Sequence, residues 1–345
     1  MPLAVGDPAP WFTAPTASSP EFVFDSSAGR YVLMLFPPHE PEGRAVALKA
    51  LAAHQALFDD RQASAFVVVR DPEALQGLKD MRGLRWLLDP DGAIAARFLA
   101  DRPHWLLLDP TLRSMGGAPM EETQQVLELV RRLGPPERHA GAPLHAPVLI
   151  APRILEPELC RALIELHEGD GGAFTGVMRD AGDRTVYVMD ELKRRRDVVV
   201  RDPGLVEALR TRLERRLFPL IERALGFKAT HIERYLVSCY DEADGGVFRP
   251  HRDNTTLGTA HRAFACSINL NDGFEGGDLR FPEFGPATYR PPVGGVCVFA
   301  CGLMHEALPV MEGRRYAFVP FLFDDAGAEV RAAYEARTAG TEAPS

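Results

Sequence analysis

The stretch FRPHRDNTT, residues 248–256, sets a histidine and an aspartate two positions apart. On an extended segment, side chains at i and i+2 point the same way, so His251 and Asp253 can offer donors to one ion. Two histidines and one carboxylate on one face of a metal, with the opposite positions open, form the ligand set of non-haem iron(II) oxygenases. The second histidine must come from elsewhere in the chain. His305, in CGLMHEALPV, follows the apolar run GGVCVFA and is the natural candidate. His231-x-Glu233 has the same spacing as the first pair and could also join His305. The turn residues Gly245, Gly246, Pro250 and Asn254-Thr255-Thr256 favour His251 and Asp253, because they suit the mouth of a cavity.

Ten residues after His305 stands Arg315, in EGRRYAFVPF. A guanidinium here can clamp a carboxylate with two parallel hydrogen bonds. Arg314 is the competing choice, and strand alternation alone does not separate the two. Arg249 and Arg252 flank the ligand pair and are candidates for substrate contact. Two other conspicuous motifs read as structural. KRRR (193–196) reads as a solvated face. Gly276 and Gly277 in EGGDLRF suit a tight turn or bulge feeding a strand.

These residues need elements to hold them. With 345 residues, the chain is long for one domain, and 46% hydrophobic content supports sizeable cores. Residues 1–133 alternate buried-strand runs (YVLMLF, AFVVV, HWLLLDP) with helical patterns at 45–60 and 120–133, which is the grammar of an α/β layer with a β-α-β unit. A Pro-, Gly- and Ala-rich segment, GPPERHAGAPLHAP (134–147), reads as a linker. Amphipathic helices follow at 156–169 and 203–226, the latter with Leu205, Leu209, Leu213 and Leu217 in one stripe. From His231 onward, short strands alternate with Gly- and Pro-rich turns, the pattern of an antiparallel sandwich or jelly roll with helices outside it. The tail is expected to fray from about residue 336.

Composition narrows the function. A net charge of −9 gives no support to binding nucleic acid or an anionic membrane. No apolar run approaches the roughly 20 residues of a membrane helix. The first residues lack the charged and apolar regions of a signal peptide, so the expected compartment is the cytoplasm. The cysteines, five in number and all beyond residue 159, are expected as buried free thiols. Cys297 and Cys301 lack partners at zinc-site spacing.

Residues 150–325 resemble the prolyl-4-hydroxylase-like branch of the iron(II)/2-oxoglutarate dioxygenases. The resemblance rests on CYDEADGGVFRPHRDN, SINLNDGFEGGDLRFPEF and GVCVFACGLMHEALPVMEGRRYAF, in this order. It implies a double-stranded β-helix in which His251, Asp253 and His305 ligate Fe(II). It selects Arg315 for the distal carboxylate of 2-oxoglutarate, and Tyr240 as a hydrogen-bond donor to the same cosubstrate. The implied reaction couples O2 and decarboxylation of 2-oxoglutarate to succinate and CO2 with hydroxylation of an unactivated C–H bond, ascorbate serving as reductant. Related halogenases have a small residue in place of the carboxylate, so Asp253 favours hydroxylation. The implied substrate is peptidyl, prolyl among the options, or amino-acid-like.

Residues 1–135 resemble peroxiredoxins of the thioredoxin fold through VGDPAPWFTAPT, YVLMLFPP, WLLDPDGAIAARF and HWLLLDPTLRSMG. A peroxiredoxin needs a cysteine just after YVLMLFPP, yet residues 1–159 contain none. Thiolate peroxide chemistry is thereby excluded. Docking, homodimerisation or presentation of a peptide, protein or small-molecule substrate is the role expected for this half. The expected fold class is therefore α/β plus mainly β: a thioredoxin-like domain at 1–135, a linker at 136–148, a jelly-roll dioxygenase domain at 149–335 and a tail at 336–345. The rival reading is a non-catalytic iron- and 2-oxoglutarate-binding sensor or interaction protein.

Overall fold

The computed structural model describes residues 3–38, 40–75 and 79–339. It divides into two compact units, one of residues 1–146 with 282–287, the other of 147–281 with 288–345.

In the first unit, β1 (Tyr31–Phe36) and β2 (Ala63–Val69) are buried at every position. They pair in parallel across the helix α1 (Pro41–Ala53). Pro41 opens this helix earlier than the hydrophobic pattern suggests, because its fixed φ and missing N–H suit the first turn. β3 (Leu84–Leu88) extends the parallel side, while β4 (His104–Leu108) and β5 (Ser114–Pro119) add antiparallel strands. The sheet order is β3-β2-β1-β4-β5. Alternation along β1 sends Val32, Met34 and Phe36 into one core, and Tyr31, Leu33 and Leu35 into the other. Both faces are thus covered, which explains the unbroken apolar runs. The helix α2 (Thr123–Arg132) closes the second of these cores with Val126, Leu127 and Val130. Beyond it, Pro136–Arg138 forms a short helical turn, and residues to Ala146 group with the first unit.

In the second unit, a short strand at Leu149–Ala151 is followed by α3 (Pro157–Asp170). Among the short strands that follow are β6 (Lys193–Arg194) and β7 (Arg196–Val199). Asp202 caps α4 (Pro203–Arg212), accepting the Leu205 N–H at 2.8 Å. The helical path continues through a wide turn at Leu213–Leu217 into α5 (Phe218–Leu225). Pro219 accounts for the widening, since it has no N–H to offer the carbonyl one turn back. Of the stripe, Leu209, Leu213 and Leu217 are fully buried and Leu205 partly so, and Ile221 extends the buried row. Each such side chain contributes about 1.5–3 kcal/mol of burial.

The strands that follow are β8 (His231–Glu233), β9 (Leu236–Asp241), β10 (Val247–His251), β11 (Phe264–Asn269), β12 (Leu279–Arg280), β13 (Thr288–Tyr289), β14 (Val296–Ala300), β15 (His305–Ala307), β16 (Arg314–Phe318) and β17 (Phe321–Phe323). They form two antiparallel sheets. The smaller has the order β6-β10-β15-β12-β13, and the larger contains β8-β17-β11-β16-β9-β7, with β14 also paired to β11. This is a jelly-roll-like arrangement, mostly β with helices outside the sheets. The helices pack on the larger sheet through Leu163, Leu213 and Leu217 against Val237, Ile268 and Phe318.

At the C-terminal end the expected fraying is not seen at 336–339. The helix α6 (Asp325–Ala339) runs through these residues, and the Tyr334 hydroxyl accepts the Thr185 N–H at 2.8 Å. Residues 340–345 of that expected tail lie outside the described residues. Among the described residues no helix is long and apolar enough to cross a membrane.

Candidate metal centre

His251 ends β10 and His305 begins β15, and the two stand opposite each other in the ladder. A register shift between Phe248 and His251 allows this pairing, and the extra residue re-aims the strand end. Asp253 follows the strand, its N–H held by the Cys301 carbonyl at 3.0 Å. His251 Nε2 lies 3.6 Å from Asp253 Oδ1, and His305 Nε2 lies 3.3 Å from Oδ2. One donor atom from each of the three residues falls within 4.8 Å of the others. Ligands about 2.1 Å from an ion and at right angles to one another stand about 3 Å apart, so the set fits a single metal.

The tautomers suit that role. His251 Nδ1–H donates to the Arg249 carbonyl at 2.7 Å, and His305 Nδ1–H to the Leu303 carbonyl at 3.0 Å. Each imidazole thereby turns its Nε2 lone pair inward. Burial, reinforced by the neighbouring His305, pushes the His251 pKa down to about 4. Its neutral, ligating form is then the one present near pH 7. Burial alone would raise Asp253, but the two imidazoles, His305 foremost, outweigh it and hold the carboxyl well below its usual range. Phe248 stacks on His251 with centroids 3.5 Å apart, and Phe299 lies 4.5 Å from His305. These rings shield the centre from water.

The cavity around the triad contains about 440 Å³ of space between side chains, part of it open to solvent. Its walls come from both sheets. From the larger sheet, Arg315 on β16 sits directly across from Tyr240 on β9. Its side chain is only 2% exposed and donates to Asn269 Oδ1 at 3.0 and 3.2 Å and to Ser267 Oγ at 2.8 Å. Arg314 points the other way, exposed and paired with Asp241 at 2.7 Å. Tyr240 is buried in the same wall, and its hydroxyl accepts from Arg195 Nη1 at 3.0 Å.

The remaining candidates fall elsewhere. Arg249 is exposed, and Arg252 is buried with its guanidinium donating to the Gly302 carbonyl; neither lines the cavity. His231 and Glu233 do not approach the triad. His231 hydrogen-bonds Thr230, and Glu233 is engaged by His261 at 2.8 Å and Arg262 at 2.5 Å. The cysteines, all five of them, are buried and free.

The expectation of a solvated KRRR face is corrected here. Lys193 and Arg195 are 7% and 5% exposed, while Arg194 is exposed and Arg196 partly so. Strand alternation turns Lys193, Arg195 and Asp197 inward together, and Asp197 pairs with both cations at 3.2 and 2.9 Å. Burial pushes the Lys193 pKa down to about 7, with Arg195 adding to the effect. Sequence reasoning thus missed Arg195, which lines the cavity and holds Tyr240. The available signal was Asp197, two places beyond Arg195, because a buried cation needs a partner. Arg234, also in the cavity wall, was missed as well.

No protein-family model matches the chain. Over 122 residues it is 25% identical to PKHD-type hydroxylases from two Synechococcus strains, JA-2-3B'a(2-13) and JA-3-3Ab. The matched stretch is 32% of this chain and 54% of each relative, so the chain spans about half the length of the curated relatives it matches. Among solved structures, a Trichoplax adhaerens prolyl hydroxylase in complex with a hypoxia inducible factor peptide fragment aligns with a TM-score of 0.42 and 20% identity, over 54% of this chain and 86% of that one. A Pseudomonas putida prolyl-4-hydroxylase aligns at 0.39 and 20% identity, over 52% and 92%.

Proposed function

We propose that the second unit is an iron(II)- and 2-oxoglutarate-dependent dioxygenase, hydroxylating an unactivated C–H bond of a peptidyl, prolyl or amino-acid-like substrate as 2-oxoglutarate becomes succinate and CO2. The observation that carries this reading is the convergence of His251, Asp253 and His305 in a cavity that also buries an arginine held by neutral groups. The similarity to PKHD-type hydroxylases supports it.

His251, Asp253 and His305 would hold the iron, which when bound supplies activation of dioxygen. The chain's own residues do the rest. Arg315, which forms no ion pair with a carboxylate among the described residues, binds the distal carboxylate of 2-oxoglutarate. Asn269 and Ser267 fix the plane of its guanidinium before the cosubstrate arrives. Tyr240 offers its hydroxyl to the same carboxylate, oriented by Arg195. Phe248 and Phe299 exclude water beside the imidazoles. The Asp253 carboxylate fills the place a halide would need, which directs the chemistry toward hydroxylation.

The first unit is read as the redoxin-like half, supported by its mixed sheet and the parallel β1-α1-β2 crossover. Without a cysteine it serves docking, homodimerisation or substrate presentation. The test is succinate formation from 2-oxoglutarate with Fe(II) and ascorbate, together with a peptide-library screen for +16 Da products. Succinate should require iron and collapse in His251→Ala, Asp253→Ala and His305→Ala. Full turnover in all three variants overturns the reading, and absence of 2-oxoglutarate binding with iron present favours a non-catalytic interaction protein instead.

A further inference from the structure

Among the described residues, the arginines that line the cavity are Arg195, Arg234 and Arg315, and their surroundings differ. Arg195 is answered by Asp197, and Arg315 is fixed by Asn269 and Ser267. Among the described residues Arg234 has neither kind of partner. Its guanidinium carbon lies 4.3 Å from the Phe321 ring centroid, and its buried Nε meets no hydrogen-bond partner among the described residues. A buried donor left unpaired costs about 1–3 kcal/mol, more when charged. The backbone adds to this cost. Arg234 turns the corner between β8 and β9 with φ at +49°, a region that residues with side chains seldom occupy.

The local carboxylates are already committed. Glu233 is held by His261 and Arg262, and Asp197 serves both Arg195 and Lys193. Burial and the nearby cations Arg262 and Arg195 lower the Arg234 pKa to about 10, which still leaves it charged at neutral pH. Charge counting points the same way. The two charges of a bound iron, less that of Asp253 and plus that of Arg315, match a 2-oxoglutarate dianion. Asp197 offsets one of Lys193 and Arg195 and Glu233 offsets Arg262, so among the described residues no ion pair remains for Arg234.

We propose that Arg234 anchors a carboxylate of the primary substrate, so that the cavity takes a free amino-acid-like acid or a peptide C-terminus, not an internal peptide segment. This rests on the dioxygenase reading and narrows its substrate class. An anion in the cavity would offset the charge of a guanidinium whose Nε has no partner among the described residues, with the carboxylate geometry that suits a guanidinium.

The test uses the full chain loaded with Zn(II), which is redox-inert, and saturated with 2-oxoglutarate without oxygen. Calorimetric titrations compare the free L-amino acids with their carboxamides, and Gly-Pro with Gly-Pro amide, so that free acids and peptide termini are told apart. At least one acid should bind about tenfold or more tightly than its amide. Arg234→Gln should abolish that preference while leaving 2-oxoglutarate affinity within about twofold. Arg234→Met, which keeps an apolar stem on Phe321, decides the matter if the glutamine variant does not fold. The proposal falls if acids and amides bind alike, if no acid binds, or if removing Arg234 weakens 2-oxoglutarate instead. Titrations repeated without 2-oxoglutarate separate the two ideas. A cosubstrate that never binds counts against the dioxygenase reading, while the acid preference still reports on Arg234.

Discussion

His251 and His305 face each other across the antiparallel pair of β10 and β15, with ring centroids 4.3 Å apart. Each imidazole has its Nδ1–H tied to a main-chain carbonyl two residues before it. Both rings are therefore set in orientation by the backbone, and Asp253 needs only to close the third corner. Such a site is built before the ion arrives, which favours tight binding.

One divalent ion per chain should follow. A Co(II) titration read by visible absorption should saturate at that ratio. His305→Ala or Asp253→Ala should lower the affinity by at least about 100-fold, because even groups that only orient a ligand are worth 10–100-fold. Saturating metal should also raise unfolding stability by about 2.7 kcal/mol at 100 times its Kd. An unchanged titration in His305→Ala removes the assignment.

The neighbours Arg314 and Arg315 should behave as opposites. Arg315 is buried in the cavity and Arg314 is an exposed partner of Asp241. Losing a charge-assisted hydrogen-bonding clamp costs about 1.5–3 kcal/mol, so Arg315→Ala should raise the KM for 2-oxoglutarate by about 10- to 150-fold. An exposed ion pair is worth about 0–1 kcal/mol, so Arg314→Ala should change it little. The reverse ranking moves the clamp to Arg314.

Gly277 is the third test. Its φ is +69°, and a Cβ there would come within 2.9 Å of Val310 Cγ2 and 3.1 Å of Arg315 Cδ. Gly277→Ala should therefore displace the Arg315 stem, raising the KM for 2-oxoglutarate while leaving Co(II) affinity unchanged. Loss of metal binding in this variant would show that the turn supports the whole site and not the arginine alone.

The legibility of these features in the sequence follows their physics. Residue type and spacing make His251 and Asp253 a candidate pair, with His231 and Glu233 at the same spacing, and the resemblance singles out the triad with His305 before any fold is known. β1 and β2 are legible because burial on both faces leaves them wholly apolar. Strand alternation alone leaves Arg314 and Arg315 open, the resemblance selects Arg315, and the fold buries Arg315 while leaving Arg314 exposed. KRRR was misread because a charge run looks solvated until alternation with Asp197 is considered. Arg234 gives no sequence signal at all, since its aim depends on a left-handed corner. The wide turn before Pro219 likewise leaves the Leu stripe unbroken and so stays hidden in the pattern.

Glu233 supplies a pH test away from the metal ligands. Burial would raise its pKa, but hydrogen bonds from His261 and Arg262 outweigh it and hold the carboxyl down to about 2, from an ordinary 4.5. Its folded pKa is depressed, so the stability it contributes is fully present above the unfolded value and lost as pH falls through the folded one. At about 1.36 kcal/mol per unit, the contribution near neutral pH is roughly 3 kcal/mol. Urea unfolding of the metal-free protein should show wild type exceeding Glu233→Gln by about that amount at pH 7. The gap should narrow from about pH 4.5 downward and close near pH 2. A gap that stays constant across this range means that the glutamine variant loses packing instead, and that Glu233 is not held ionised by His261 and Arg262.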